Sequence, residues 1–170
     1  MPRPEFLFAI LLSLAAARAA RATPKPGTRE SWRPPTAAEL ADEWRSHDKD
    51  RYAVARGDFD GDGKEDTARL MISPDGKRAA IVVELSAKGT MVIGLEDAAP
   101  DILGVMGISV VRAGTHKTAC GKGYWKCEPG EPAVLTLKSD GIEYFKDGSA
   151  NSVFYLPSGG REFRRVWLSD

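Results

Sequence analysis

Four aspartates within nine residues are the part of this chain best placed to do chemistry. Asp58, Asp60, Asp62 and Asp66 stand at positions 1, 3, 5 and 9 of the loop 58–66, with Gly63 at position 6. A hard cation takes six to eight oxygens around one centre, and a tightly coiled backbone with alternate side chains facing inward can supply them. Gly63 permits the sharp bend, Lys64 at position 7 offers its backbone carbonyl, and Glu65 at position 8 is expected to point outward. Such an all-oxygen set suits Ca²⁺ better than zinc, and its crowding suits magnesium poorly. Plain β-turns also use Asp-Gly strings. Here, however, Glu65 makes five acids in nine residues, which repel one another in a folded loop unless a cation neutralises them.

The flanks of the loop separate it from a helix-loop-helix site. Position 12 is Arg69 where that motif needs a bidentate Glu, and the neighbouring residues Tyr-Ala-Val-Ala and Thr-Ala-Arg-Leu-Met-Ile are β-like. Gly57 through Asp66, followed by Thr67-Ala68-Arg69-Leu70, instead resembles the calcium-loop unit of the FG-GAP/VCBS repeat family. Units of that family read as strand, Gly-Asp-Phe-Asp-Gly-Asp-Gly-x-x-Asp loop, strand. The resemblance spans about 25 residues and has no second copy in the chain, so it implies neither a propeller nor an adhesive role. The expected ion is structural, and an affinity on the order of 10⁻⁴–10⁻³ M would suffice outside the cytoplasm.

A second group lies in the long irregular stretch 112–131. Cys120 and Cys127 enclose Gly-Lys-Gly-Tyr-Trp-Lys, and in an oxidising compartment they are expected to pair as a disulfide, worth roughly 2.5 kcal/mol in the chain-entropy model. Around them stand Arg112, His116, Lys117, Lys122, Tyr124, Trp125 and Lys126. Aromatic and basic residues on a stapled loop suit an envelope protein or an anionic glycan. The alternative is that Tyr124 and Trp125 fold back as a lid over the core. Likewise Arg161, Arg164 and Arg165 form either a positive patch or the wet side of a strand. No catalytic residue is nominated: the nucleophile elbow, the zinc-protease helix motif and a phosphate-cradling glycine loop are all missing.

These groups have to be positioned by strands. Short apolar runs at 52–56, 67–72, 79–85, 91–95, 108–113, 133–138, 142–145, 152–156 and 163–168 alternate with turn residues such as Pro74-Asp75-Gly76, Asp140-Gly141 and Asp147-Gly148. Connections this short force antiparallel neighbours. The expected fold is mainly β, an antiparallel β-meander curled into a sandwich or half-open barrel. One short N-terminal helix is expected from Thr36, which Glu39 closes as a capping box, with Leu40 and Trp44 on its apolar stripe. The stretch 96–106 is either a loop or one helical turn.

The N-terminal segment speaks to compartment. Arg3, the apolar run 6–17 and Ala20-Arg21-Ala22 read as a cleaved signal peptide over 1–22, followed by a Pro-rich leader over 23–35 and a single β-rich domain over 36–170. The run is too short for a membrane span, and no later segment is long enough. The expected location is therefore periplasmic or extracellular. The whole chain of 170 residues carries 24 basic and 24 acidic side chains. Loss of Arg3, Arg18, Arg21 and Glu5 leaves 21 basic and 23 acidic, a net of −2. That balance excludes a strongly basic nucleic-acid binder. The function expected is a non-enzymatic binding module; the alternatives are a hydrolase with an unrecognised site or an inhibitor of a cell-wall-degrading enzyme.

Overall fold

The structure is a computed structural model and describes residues 31–45, 51–95 and 100–170. The expected signal peptide and the first part of the leader lie outside the described residues. No helix among the described residues is long and apolar enough to cross a membrane.

Alternating burial makes the first sheet. Strands β1 (Val54–Gly57), β2 (Asp66–Ile72), β3 (Ala79–Leu85) and β4 (Gly89–Gly94) follow one another as an antiparallel meander. In β2 every second residue is fully buried, so Ala68, Leu70 and Ile72 face inward while Thr67, Arg69 and Met71 lie half out. The second sheet is ordered β10 (Arg164–Trp167), β9 (Asn151–Tyr155), β8 (Gly141–Lys146), β5 (Met106–Val111), again antiparallel throughout. Ile81 and Val83 of the first sheet share one core with Ile108, Ile142, Tyr144 and Phe154 of the second. The two sheets pack as a sandwich and do not close into a barrel.

Between β5 and β8 the chain leaves the second sheet as an antiparallel hairpin, β6 (Gly114–Lys117) and β7 (Val134–Leu137), enclosing the short helix α1 (Ala119–Lys122). Val153 and Phe154 show how this hairpin is seated. Neighbours on a strand point to opposite faces: Phe154 enters the inter-sheet core, while Val153 packs with Leu135, Leu137 and Leu168 in a second cluster. One end of the outer face of the second sheet is thereby covered by the hairpin.

At the N-terminal end the capping box forms as expected: the Thr36 amide donates to Glu39 Oε2 at 2.7 Å, and the Glu39 amide donates to Thr36 Oγ1 at 3.3 Å. Arg33 grips the same carboxylate at 2.8 Å and 2.9 Å, which, with the Thr36 amide, holds Glu39 down to a pKa of about 2. The expected helix is a hydrogen-bonded turn over 37–40 followed by the 3₁₀ turn Glu43–Arg45. Tertiary bonds take over where an α-helix would continue: Trp44 Nε1 and Arg45 Nε both donate to the Gly104 carbonyl, at 2.9 Å and 3.2 Å. The last leader residues are also pinned, because Arg33 and Ile72 exchange both backbone hydrogen bonds at 2.9 Å.

Candidate functional site

The loop 58–66 is the hairpin connection between β1 and β2, closed by the pair Gly57↔Asp66. That register sets Asp66, the last acid of the loop, beside Asp58, the first. Within the loop the acids fold the chain back on itself. Asp58 accepts the amides of Gly61 at 2.8 Å, Asp62 at 3.1 Å and Gly63 at 3.0 Å. Gly61 and Gly63 take left-handed backbone angles, φ 79° and 81°, which a side chain would strain. Phe59, fully buried in the core, is the anchor beneath.

The result is a compact acidic centre. One carboxylate oxygen from each of Asp58, Asp60 and Asp66 lies within 4.8 Å of the others. Asp66 is buried and accepts the Phe59, Asp60 and Ser86 amides at 2.8, 3.3 and 2.7 Å. Asp60 is the odd member. Its side chain is only 1 % exposed, and Oδ2 accepts no hydrogen bond among the described residues, with Lys88 Nζ 4.0 Å away. Burial, then the charges of Asp66 and Asp62, raise its pKa above the usual carboxylate value, against the pull of Lys88. Buried carboxylates normally have partners, so an orphaned oxygen facing two other acids marks a place where positive charge is wanted.

The other loop residues fall differently. Asp62 turns to the Ser86 hydroxyl and the Lys64 amide, the latter at 2.8 Å, and those bonds hold its pKa below the usual value. Lys64 and Glu65 are exposed, and Glu65 points outward toward Arg56 at 3.5 Å.

Asp140 went unnoticed in the sequence beyond its place in a turn. It sits at the β7–β8 corner, and its backbone N–H donates to the Asp58 carbonyl at 2.9 Å. Its side chain accepts the Asp58 amide at 3.3 Å, Arg112 at 2.8 Å and the Ala113 amide at 3.0 Å. Gly57 is required beneath it, since a Cβ there would lie 2.9 Å from Asp140 Oδ2. Asp140 therefore joins the acidic loop to the root of the hairpin arm. The two partners are 82 residues apart in sequence, and no local pattern announces such a bond.

On the arm, Cys120 and Cys127 form the expected disulfide, with Cα atoms 4.9 Å apart. Together with Glu131 they also make a compact trio, but joined sulfurs are not thiolate ligands. The stretch expected to be irregular contains β6 and α1. Thr118 Oγ1 caps α1 by accepting the Gly121 amide at 3.1 Å, and left-handed Gly123 ends it. Trp125 and Tyr124 behave differently from each other: Trp125 is half-buried with Nε1 on Glu131 at 3.1 Å, whereas Tyr124 is 53 % exposed. Lys122 reaches the Leu168 carbonyl at 2.7 Å, His116 Nε2 faces the Arg112 carbonyl at 2.9 Å, and Arg112 is spent on Asp140. Lys117 and Lys126 are exposed. Arg165 is likewise engaged, donating to Ser152 Oγ and stacking over Trp167, while Arg161 and Arg164 face solvent.

Reduction of the disulfide should open the arm locally. The amides of Gly121, Lys122, Gly123 and Tyr124 all bond within it. Loss of roughly 2.5 kcal/mol should accelerate their hydrogen exchange on the order of 50-fold. Amides of β2 and β3 should hardly change; equal acceleration in both regions would show that the staple serves the whole domain.

No family model matches the chain, and searches of curated proteins and solved structures likewise find no match.

Proposed function

We propose that this chain is an exported β-domain, stabilised by one calcium ion in the loop 58–66, that acts as a non-enzymatic binding module for an anionic partner. The observation that carries the reading is the convergence of Asp58, Asp60 and Asp66 on a centre where the buried Asp60 Oδ2 lacks a donor among the described residues. The residues fit a hard cation. Each carboxylate oxygen has two lone pairs, so Asp58 and Asp66 keep acceptor capacity beyond the amides they already hold. Asp62 and the Lys64 carbonyl complete the ligand set read from the FG-GAP/VCBS-type pattern. The ion would supply charge neutralisation and rigidity rather than chemistry.

The partner-facing surface is the arm. Tyr124, Lys117 and Lys126 are exposed members of the aromatic-basic group, while the exposed Arg112 and Lys122 are bonded to Asp140 and to the Leu168 carbonyl; all stand on a backbone held by the disulfide and rooted on the acidic loop through Asp140. An aromatic ring with nearby cations on a preorganised turn suits an acidic glycan or an acidic protein surface. The test is retention of the protein on an immobilised acidic polysaccharide, with calcium present. Retention should fall when Tyr124→Ala is combined with Lys126→Ala, and weaken in chelator. Trp125→Ala is a poor probe, since it strips the arm of its Glu131 contact. Retention that ignores both the double substitution and calcium refutes the reading.

A further inference from the structure

The outer face of the second sheet carries a cleft remote from the acidic loop. The β6–β7 hairpin covers one end of that face, and the other end is open, with a cavity of about 540 Å³. That volume lies within the range of roughly 300–1,000 Å³ typical of small-molecule sites. Three neighbouring strands supply its floor. Glu143 on β8 receives the Ser109 hydroxyl from β5 on one carboxylate oxygen and Asn151 Nδ2 from β9 on the other, the latter at 2.6 Å. Both oxygens thus have a partner that fixes them and a lone pair to spare.

Its wall is aromatic. Tyr52 stacks on Trp44 with centroids 5.3 Å apart, and Phe145 meets both rings edge-on at 5.3 Å and 5.8 Å. Phe145 can lie across β5 only because residue 107 is glycine: a Cβ there would come within 2.5 Å of its ring. Tyr52 is the one described non-glycine residue with positive φ, at 63°. A bulky residue in that conformation is a backbone outlier, and such strain collects at functional sites. It is held from both sides, by Ile108 N–H donating to the Tyr52 carbonyl at 2.8 Å and Leu70 N–H to the Ala53 carbonyl at 2.9 Å.

We propose that this cleft is a saccharide-binding site, taking a neutral hexose or N-acetylhexosamine unit. Sugar rings present C–H faces that pack on aromatic rings and hydroxyls that both donate and accept, which matches an aromatic wall beside a fixed serine-carboxylate-amide row. Two carboxylates, Glu143 and Asp147, and two cations, Arg51 and Lys146, line the cleft, a balance that favours a neutral ligand over an ionic one, and the polar floor disfavours a lipid chain. Arg51 rests over the Tyr52 ring at 4.7 Å and donates to its hydroxyl at 3.0 Å; exposed, it exchanges both contacts for water when the sugar enters. The site uses none of the residues of the calcium loop or the arm, so it stands or falls separately from them.

The experiment is saturation-transfer and amide-shift NMR on the full chain, with maltotriose and tri-N-acetylchitotriose as probes at millimolar concentration. One probe should receive saturation on its ring protons and shift amides of residues 143–151. Tyr52→Gly removes the ring while relieving the left-handed backbone, so the fold is kept, and affinity should drop about tenfold or more. Glu143→Gln keeps the volume and should also weaken binding. No transfer to either probe, shifts confined to the arm, or binding indifferent to both substitutions would each overturn the proposal.

Discussion

In chelator, Asp60→Asn is expected to melt above the unsubstituted protein, and in millimolar calcium below it. Without a cation, Asp60 Oδ2 is buried beside Asp58 and Asp66 with no donor among the described residues. An asparagine amide is nearly the same size, carries no charge, and can donate to those carboxylates. Relief of that repulsion should stabilise the metal-free protein by about 1 kcal/mol. With calcium the order reverses. About 10 mM calcium is 100 times a dissociation constant on the order of 10⁻⁴ M, and at that ratio the ion adds about 2.7 kcal/mol. For a domain of this size that is a rise of about 8 °C in melting temperature, and the variant should forgo it.

The acid limb has a definite sign. The folded-state pKa of Asp60 is raised, by burial first and by Asp66 and Asp62 next. In the metal-free protein its penalty is therefore fully present above that folded value and disappears as pH falls below the unfolded value of about 3.9. Protons also compete with calcium for the same oxygens. The gap between melting curves in calcium and in chelator should accordingly narrow on acidification. Scanning calorimetry of both proteins, with and without calcium, checks every part; curves that never cross would dismiss the structural ion.

Phe59→Ala should cost about 3–5 kcal/mol, the usual toll for emptying a buried aromatic site. Phe59 is fully buried in the inter-sheet core although it stands second in a loop whose tip is exposed. It also works through its backbone: its N–H donates to Asp66 at 2.8 Å, and its carbonyl accepts the Ser139 hydroxyl at 3.3 Å. Truncation should lower stability and calcium affinity together, because the acids depend on the anchored backbone for their positions. Phe59→Leu, which keeps most of the volume, should cost about 1–1.5 kcal/mol and retain the calcium response. Urea midpoints measured alongside calcium titrations separate the two effects. An Ala variant within 1 kcal/mol of the parent, roughly the spread of ordinary substitutions, would mean the ring does not anchor the loop.

Strands were legible where one face is wet. The expected run 79–85 coincides with β3, and 67–72 misses β2 only by its first residue, Asp66. There, apolar and polar residues alternate or form a short apolar block between turn residues, a local signature. The β6 segment Gly-Thr-His-Lys has no such pattern. It is a strand because β7 pairs with it, and Leu135 and Leu137 opposite are what get buried. Nor could α1 be read: four residues hold a helix only through the Thr118 cap, Gly123 and the staple.

The same division runs through the chemistry. Asp58, Asp60 and Asp66 could be singled out because spacing along a turn is a local property, and turn glycines dictate which acids face inward. The cysteine pairing was equally open to reading, being a short loop with glycines inside it. What needed the folded chain was what joins separate strands and corners: Asp140 beneath Asp58, and the Ser109–Glu143–Asn151 row under an aromatic wall. Such contacts are set by strand register between distant segments, and register depends on how two hydrophobic faces meet. No stretch of sequence contains that information alone, whereas a turn contains its own.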